Sequence, residues 1–169
     1  LAPQEYIDSF DATVANDHRR VFAGMVRALD EAVGNVTRAL EDAGIRNETL
    51  IIFSTDNGGP ADGFNDNIAC NYPLRGTKRT LFEGGLRGVG LISGAGIHRK
   101  GDVLHGLVGV QDVMPSLLEG LLGQDTQKFD PPFEPGDGVN VWDYLSGASE
   151  TSARTELVHE AHPLGSTDG

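Results

Sequence analysis

Between Asp17 and Ala43 the apolar residues Phe22, Met25, Val26, Leu29, Val33, Val36 and Leu40 recur at steps of three and four. That period lines one face of an α-helix. It predicts a single amphipathic helix of about 27 residues, roughly 40 Å long, with Asp17 capping its start and Gly44 taking the left-handed conformation at its end. The pattern then changes. Leu50, Ile51, Ile52 and Phe53 form a short apolar run without alternation, which predicts a strand covered on both faces, as in parallel sheets. Only Gly44 to Glu48 separates the two, so the helix feeds directly into the strand, half of a βαβ crossover.

From Gly58 to Pro73, Gly, Pro, Asn and Asp predict a long loop at the carboxyl edge of that strand. Val89 to Ile92 is the expected second buried strand. Gln111 to Leu122 places Val113, Met114, Leu117, Leu118, Leu121 and Leu122 on one side of a short buried helix ending at Gly123, with Pro115 in its first turn, where the missing N–H costs little. Residues 124 to 138, with three prolines, predict an irregular connection, and Thr155 to His159 is expected to begin a strand of another subdomain. The glycines 85, 88 and 90 lack the G-x-G-x-x-G order, and no strand and helix flank them as a phosphate-cradling loop requires.

The 169 residues carry a formal net charge of −12, which argues against a general nucleic-acid or membrane-surface binder. No apolar run approaches the length of a membrane span. Between Arg75 and Lys100 the balance reverses: Arg75, Lys78, Arg79, Arg87, Arg99 and Lys100 face a single acid, Glu83. Such a stretch either balances acidic neighbours as a solvated face or meets an anionic substrate. Cys70 has no partner cysteine in the chain. Asn35-Val36-Thr37 and Asn47-Glu48-Thr49 are N-glycosylation sequons and hint at a secreted or lysosomal protein.

Candidate chemistry gathers where the first strand ends. Asp56 and Asn57 follow Thr55 and precede Gly58-Gly59, and strand tips of α/β sheets are where ligands bind. One charged and one neutral oxygen donor suit Ca²⁺ or Mg²⁺ rather than zinc or copper. Two ligands do not complete a site that needs about six oxygens. A structural alternative stays open: an Asx turn ending the strand, with Gly58 supplying positive φ.

The order Ser-Thr-Asp-Asn-Gly-Gly (54–59), then Asn71-Tyr72-Pro73-Leu74-Arg75-Gly76-Thr77-Lys78, then Glu83-Gly84-Gly85-Leu86-Arg87 resembles the type I sulfatases. Within them it resembles the arylsulfatase B (N-acetylgalactosamine-4-sulfatase) group. The likeness extends through Phe22 to Val26, Asp30 to Thr37 and Arg154 to His159. It implies an α/β, alkaline-phosphatase-like fold: part of a large mixed, mostly parallel sheet flanked by helices, incomplete at its amino terminus. Residues 1–150 are then the carboxyl-terminal portion of the catalytic domain and 151–169 the start of a carboxyl-terminal subdomain. The implied activity is sulfate-ester hydrolysis, with a sulfated glycan as substrate, using Ca²⁺ and a formylglycine made from a cysteine. Asp56 and Asn57 match two metal ligands of the family, and Lys78 matches its sulfate-contacting lysine. A cation and a lysine suit this chemistry, since in-line displacement spreads negative charge over the ester oxygens.

The remaining machinery of the family is not in these residues. There is no Cys-x-Pro-Ser-Arg or Cys-x-Ala-x-Arg element and no Asp-Asp pair, and the resemblance puts the family's His-x-Pro histidine just before Leu1. Cys70 lacks the proline and arginine of the modification motif. His18, His98, His105, His159 and His162 match no catalytic position and are expected in surface or capping roles. Asp112 is expected to cap the helix containing Pro115, and Glu83 and Arg87 to pair behind Lys78. The chain alone is therefore expected to need the amino-terminal part of its own domain and to lack turnover. A phosphoryl-transfer enzyme of the same superfamily and a non-catalytic binding glycoprotein are the competing readings. No histidine closely follows Asp56-Asn57 as the zinc ligand set of the former would suggest.

Overall fold

The structure is a computed structural model and describes residues 2–63 and 68–159. The chain divides into two compact units, residues 1–95 and 96–169.

In the first unit, α1 (Gln4–Asp8) packs against α2 (Asp17–Asp42). The contact is close at Gly24, where a methyl group would lie 3.1 Å from the Ile7 side chain. α2 is the helix its periodicity predicts, but its cap is Asn16, not Asp17. Asn16 has extended backbone and its side chain accepts from the Arg19 N–H, while Asp17 sits inside the first turn, where its negative charge is stabilised by the positive end of the helix dipole. Gly44 has φ +73° and ends the helix as predicted. The apolar face of α2 is largely uncovered: Phe22, Met25, Val26, Leu29, Val33 and Val36 are each between 39% and 55% exposed.

β1 (Leu50–Ser54) pairs with β2 (Gly90–Gly94) in register Ile52 to Ile92. The pairing is antiparallel, unlike the parallel neighbour its apolar run predicts, and Ile52 is 43% exposed. The physical reason lies in the connection. A parallel pair needs a crossover over the sheet face, whereas residues 55–89, as far as they are described, hold only the one-turn helix α3 (Glu83–Leu86) and loop, so the chain returns at the same end. An apolar run signals burial without saying which strand supplies the cover. β2 begins one residue after the predicted Val89 and is largely exposed.

In the second unit, residues 110–122 form no uniform helix. A 3₁₀ turn (Val110–Asp112) leads into α4 (Val113–Pro115) and a π-helical stretch (Ser116–Leu121), which closes with Leu122 N–H donating to the Leu117 carbonyl at 3.0 Å. α5 (Trp142–Ser146) packs on this stretch, and Val141, Trp142 and Tyr144 are the buried apolar core. A methyl at Gly120 would come within 2.1 Å of the Trp142 Cβ, so only glycine admits the two helices this closely.

Asp112 does not cap the following helix. It is fully buried, with its carboxylate accepting from the Gly109 N–H at 2.7 Å and the Val139 N–H at 2.8 Å, and held bidentately by Arg154 at 2.6 and 2.5 Å. Burial by itself raises its pKa. The Arg154 hydrogen bonds, the two N–H donors and the guanidinium charge outweigh that and hold the carboxyl below its ordinary value. Thr155 to His159 form no strand. No helix is long and apolar enough to cross a membrane among the described residues.

Candidate functional site

β1 delivers its carboxyl end to a knot of loop backbone. Thr55 extends the β pairing, its N–H donating to the Val89 carbonyl at 3.0 Å and its Oγ1 accepting from the Val89 N–H at 2.8 Å. Asp56 follows, exposed, and Asn57, partly buried. Asp56 Oδ1 accepts from the Asn57 N–H at 2.9 Å, and Asn57 Nδ2 donates to the Gly58 carbonyl at 2.8 Å. Asp56 Oδ2 and Asn57 Oδ1 then have no protein donor among the described residues. Both are hard oxygens, which fits Ca²⁺ or Mg²⁺. No group of three or more His, Cys, Asp or Glu side chains converges on a metal position among the described residues. The donors present therefore fit such a cation in kind and fall short of its coordination number.

Gly58 is required by space, not by φ. Its backbone is not left-handed, but a methyl there would lie 1.8 Å from the Gly84 carbonyl oxygen. The reason is the close approach of α3: Gly58 N–H donates to the Gly85 carbonyl at 2.9 Å, and Gly84 N–H to the Arg75 carbonyl at 2.7 Å. A methyl on Gly84 or Gly85 would meet backbone oxygens at 2.4 Å, those of Gly76 and Thr80 respectively. The three sequence segments singled out above, 54–59, 71–78 and 83–87, thus interlock through backbone that only glycine permits.

Lys78 enters this knot through its main chain. Its N–H donates to the Gly59 carbonyl at 3.2 Å, and Thr77 Oγ1 donates to the same oxygen at 3.2 Å while accepting from the Ala61 N–H at 2.8 Å. The Lys78 side chain is exposed and without a hydrogen-bond or ion-pair partner among the described residues. Arg75, also exposed, lays its guanidinium over the Phe82 ring at 4.0 Å from the centroid. Glu83 and Arg87 do pair, at 3.8 Å, but both are more than half exposed, so the pair is loose.

The other sequence candidates are exposed side chains where they are described. Cys70 is an exposed free thiol. His18, His98, His105 and His159 are exposed, and His162 lies outside the described residues. Asn47 is exposed in a 3₁₀ turn (Arg46–Glu48), whereas Asn35 is mid-helix in α2, bonded to Arg38.

Sequence reasoning missed Asn71. Its Oδ1 accepts from the Gly59 N–H at 2.9 Å, and its Nδ2 donates to the Gly59 carbonyl at 2.8 Å and the Gly76 carbonyl at 3.0 Å. Its separation from Gly59 along the chain gave no signal. The Asp112–Arg154 pair, 42 residues apart, was missed for the same reason.

The site thus offers two oxygen donors at a strand tip and an exposed lysine on the adjoining loop. The Sulfatase family matches over residues 1–123. Mouse arylsulfatase J is 36% identical over 167 residues, covering 96% of this chain and 25% of that protein. Human arylsulfatase A is 37% identical, covering 86% of this chain and 27% of that protein, and human N-acetylgalactosamine-6-sulfatase is 28% identical, covering 76% and 24%. The crystal structure of Ps i-CgsB in complex with k-i-k-neocarrahexaose superposes with a TM-score of 0.71 at 30% identity, covering 85% of this chain and 30% of that one. This chain belongs to the sulfatase family and has part of the sulfatase fold. It spans about a quarter of the length of the curated relatives it matches.

Proposed function

We propose that this chain is part of a sulfuric ester hydrolase, in which Asp56 and Asn57 supply two ligands to a calcium ion and Lys78 contacts the sulfate group. The observation that carries this reading is the Gly59 carbonyl, which bonds the Lys78 main chain two residues beyond Asn57 and so joins the cation-ligand pair and the lysine in one backbone unit. Bound calcium would stabilise the charge that develops on the ester oxygens. Lys78, exposed and unpaired among the described residues, is available to do the same from the loop side. The nucleophile, a formylglycine by family likeness, lies outside these residues.

Residues 1–150 then belong to the catalytic domain and 151–169 begin the next subdomain. The exposed apolar face of α2 and the open face of β1 suit packing against the rest of a larger, mostly parallel sheet. By itself the 169-residue chain has no sulfatase turnover. The substrate is a sulfated glycan; N-acetylgalactosamine-6-sulfatase among the relatives and the k-i-k-neocarrahexaose in complex with the structural neighbour favour that class. An arylsulfatase B type specificity for the 4-sulfate is the narrower form of this proposal. A location in the lysosome or outside the cell is part of the same proposal, supported by the family likeness and the sequons at Asn35 and Asn47.

The test is hydrolysis of an aryl sulfate by the complete gene product that contains these residues. The wild type is expected to turn over, Lys78→Ala to lose about 10²- to 10³-fold in kcat, as when one charge-stabilising donor is removed, and the 169-residue chain to show none. Turnover by the isolated chain, or an unaffected Lys78→Ala variant, overturns the assignment.

A further inference from the structure

The geometry points to Asn71 as the positioning residue of this site: its carboxamide grips the Gly59 peptide and thereby sets where Lys78 stands relative to Asp56 and Asn57. The inference rests on the sulfatase reading above and deepens it.

The argument begins with the Gly59 carbonyl. Among the described residues four donors lie within reach of it: Asn71 Nδ2 at 2.8 Å, Ala61 N–H at 3.0 Å, and Lys78 N–H and Thr77 Oγ1 at 3.2 Å each. An oxygen with two lone pairs cannot serve four donors equally well, and Asn71 holds the shortest bond. Asn71 is also the acceptor for the Gly59 N–H, at 2.9 Å, so one side chain satisfies both polar groups of one residue. Its second Nδ2 hydrogen goes to the Gly76 carbonyl at 3.0 Å, two residues before Lys78. Only one orientation of the amide works. Flipped, it would set NH₂ against an N–H and its oxygen against two carbonyls.

The consequence is a three-point clamp between the cation-ligand segment and the lysine loop. Gly59 is the second residue after Asn57 and Gly76 the second before Lys78, so the clamp fixes the chain on both sides of the site. Without Asn71, the Lys78 N–H and Thr77 Oγ1 contacts at 3.2 Å are the remaining direct links from the lysine's turn to Gly59. Asn71 touches neither the cation donors nor the Lys78 side chain; it acts through Lys78.

The experiment is a double-mutant cycle in the complete gene product, read as kcat/KM for an aryl sulfate. Asn71→Ala is expected to lower kcat/KM by about 10- to 100-fold, the range for partners that orient reacting groups. Asn71→Asp keeps shape and acceptor but removes both N–H donors, and is expected to fall in the same range. Because Asn71 acts through Lys78, the Asn71→Ala/Lys78→Ala double variant is expected to match Lys78→Ala alone within about twofold, the signature of coupled sites. Multiplicative losses mean a general structural role and overturn the inference while leaving the sulfatase reading intact. A wild type without turnover overturns both. If the variants do not fold, the wild type decides through amide exchange: Gly59 N–H, whose acceptor is Asn71 Oδ1, must exchange more slowly than the amide of exposed Gly63, and equal rates overturn the clamp.

Discussion

Gly58→Ala tests whether the interlock of 54–59 with 83–87 builds the site. The new methyl would sit 1.8 Å from the Gly84 carbonyl oxygen and 2.7 Å from its carbon, and ordinary contact begins at 3.4 Å. The two segments must part by about 1.6 Å, and neither obstacle is a flexible side chain. That separation breaks the 2.9 Å bond from Gly58 N–H to the Gly85 carbonyl. Overpacking of this kind costs about 1–3 kcal/mol and a lost backbone hydrogen bond about 1 kcal/mol, so the variant should be destabilised by about 2–4 kcal/mol. A displacement of about 1 Å at a reacting group costs on the order of 10²-fold in rate, so kcat should fall even where folding survives. Denaturant unfolding and aryl sulfate turnover of the complete gene product measure the two effects. Gly90→Ala is the control, because nothing lies within 4 Å of a methyl there. If Gly58→Ala unfolds and turns over like Gly90→Ala, the close packing of backbone does not exist and the interlock argument fails.

Arg154→Ala leaves the fully buried Asp112 carboxylate with two N–H donors among the described residues, and removing one partner of a buried pair costs about 3–5 kcal/mol. Urea unfolding followed by the fluorescence of Trp142, the single tryptophan, should show the drop in the second unit, and an unchanged midpoint would refute it. The same carboxyl has a folded pKa below its ordinary value. Its stabilising contribution is therefore complete above the unfolded value of about 3.9 and disappears as pH falls from there through the folded pKa. Asp112→Asn should remove that part of the acid dependence, and identical acid unfolding curves for the two proteins would count against it. In material from a secretory pathway, peptide mass spectrometry should find glycan on Asn47, which is exposed in a short turn, in preference to Asn35 within α2; the reverse occupancy would contradict this.

Local pattern made some features legible and left others invisible. The α2 helix, the strand at 50–54, the left-handed glycine 44 and the motif segments all follow from periodicity, residue type or family likeness carried by short stretches. These depend on residues a few positions apart, whose interactions are the same in any fold. Gly58 shows the boundary. A glycine after Asp-Asn reads as a turn with positive φ, yet the need for it comes from the Gly84 carbonyl, brought there from 26 residues away by loop folding. Asn71 and Arg154 are likewise ordinary polar residues in sequence, and their partners are set only when distant backbone N–H and carbonyl groups must find hydrogen bonds away from water.

Residue order alone carries the helix, the apolar strand, the sulfatase likeness and the three candidates Asp56, Asn57 and Lys78. Folding sets the antiparallel pairing of β1 with β2 and brings the Gly59 peptide against the loop of Lys78. Folding likewise pairs Asp112 with Arg154 in the second unit. The reason is one of range: periodicity and propensity act within a few residues, whereas strand direction, close backbone packing and buried charge pairing depend on which distant segments share the same small volume.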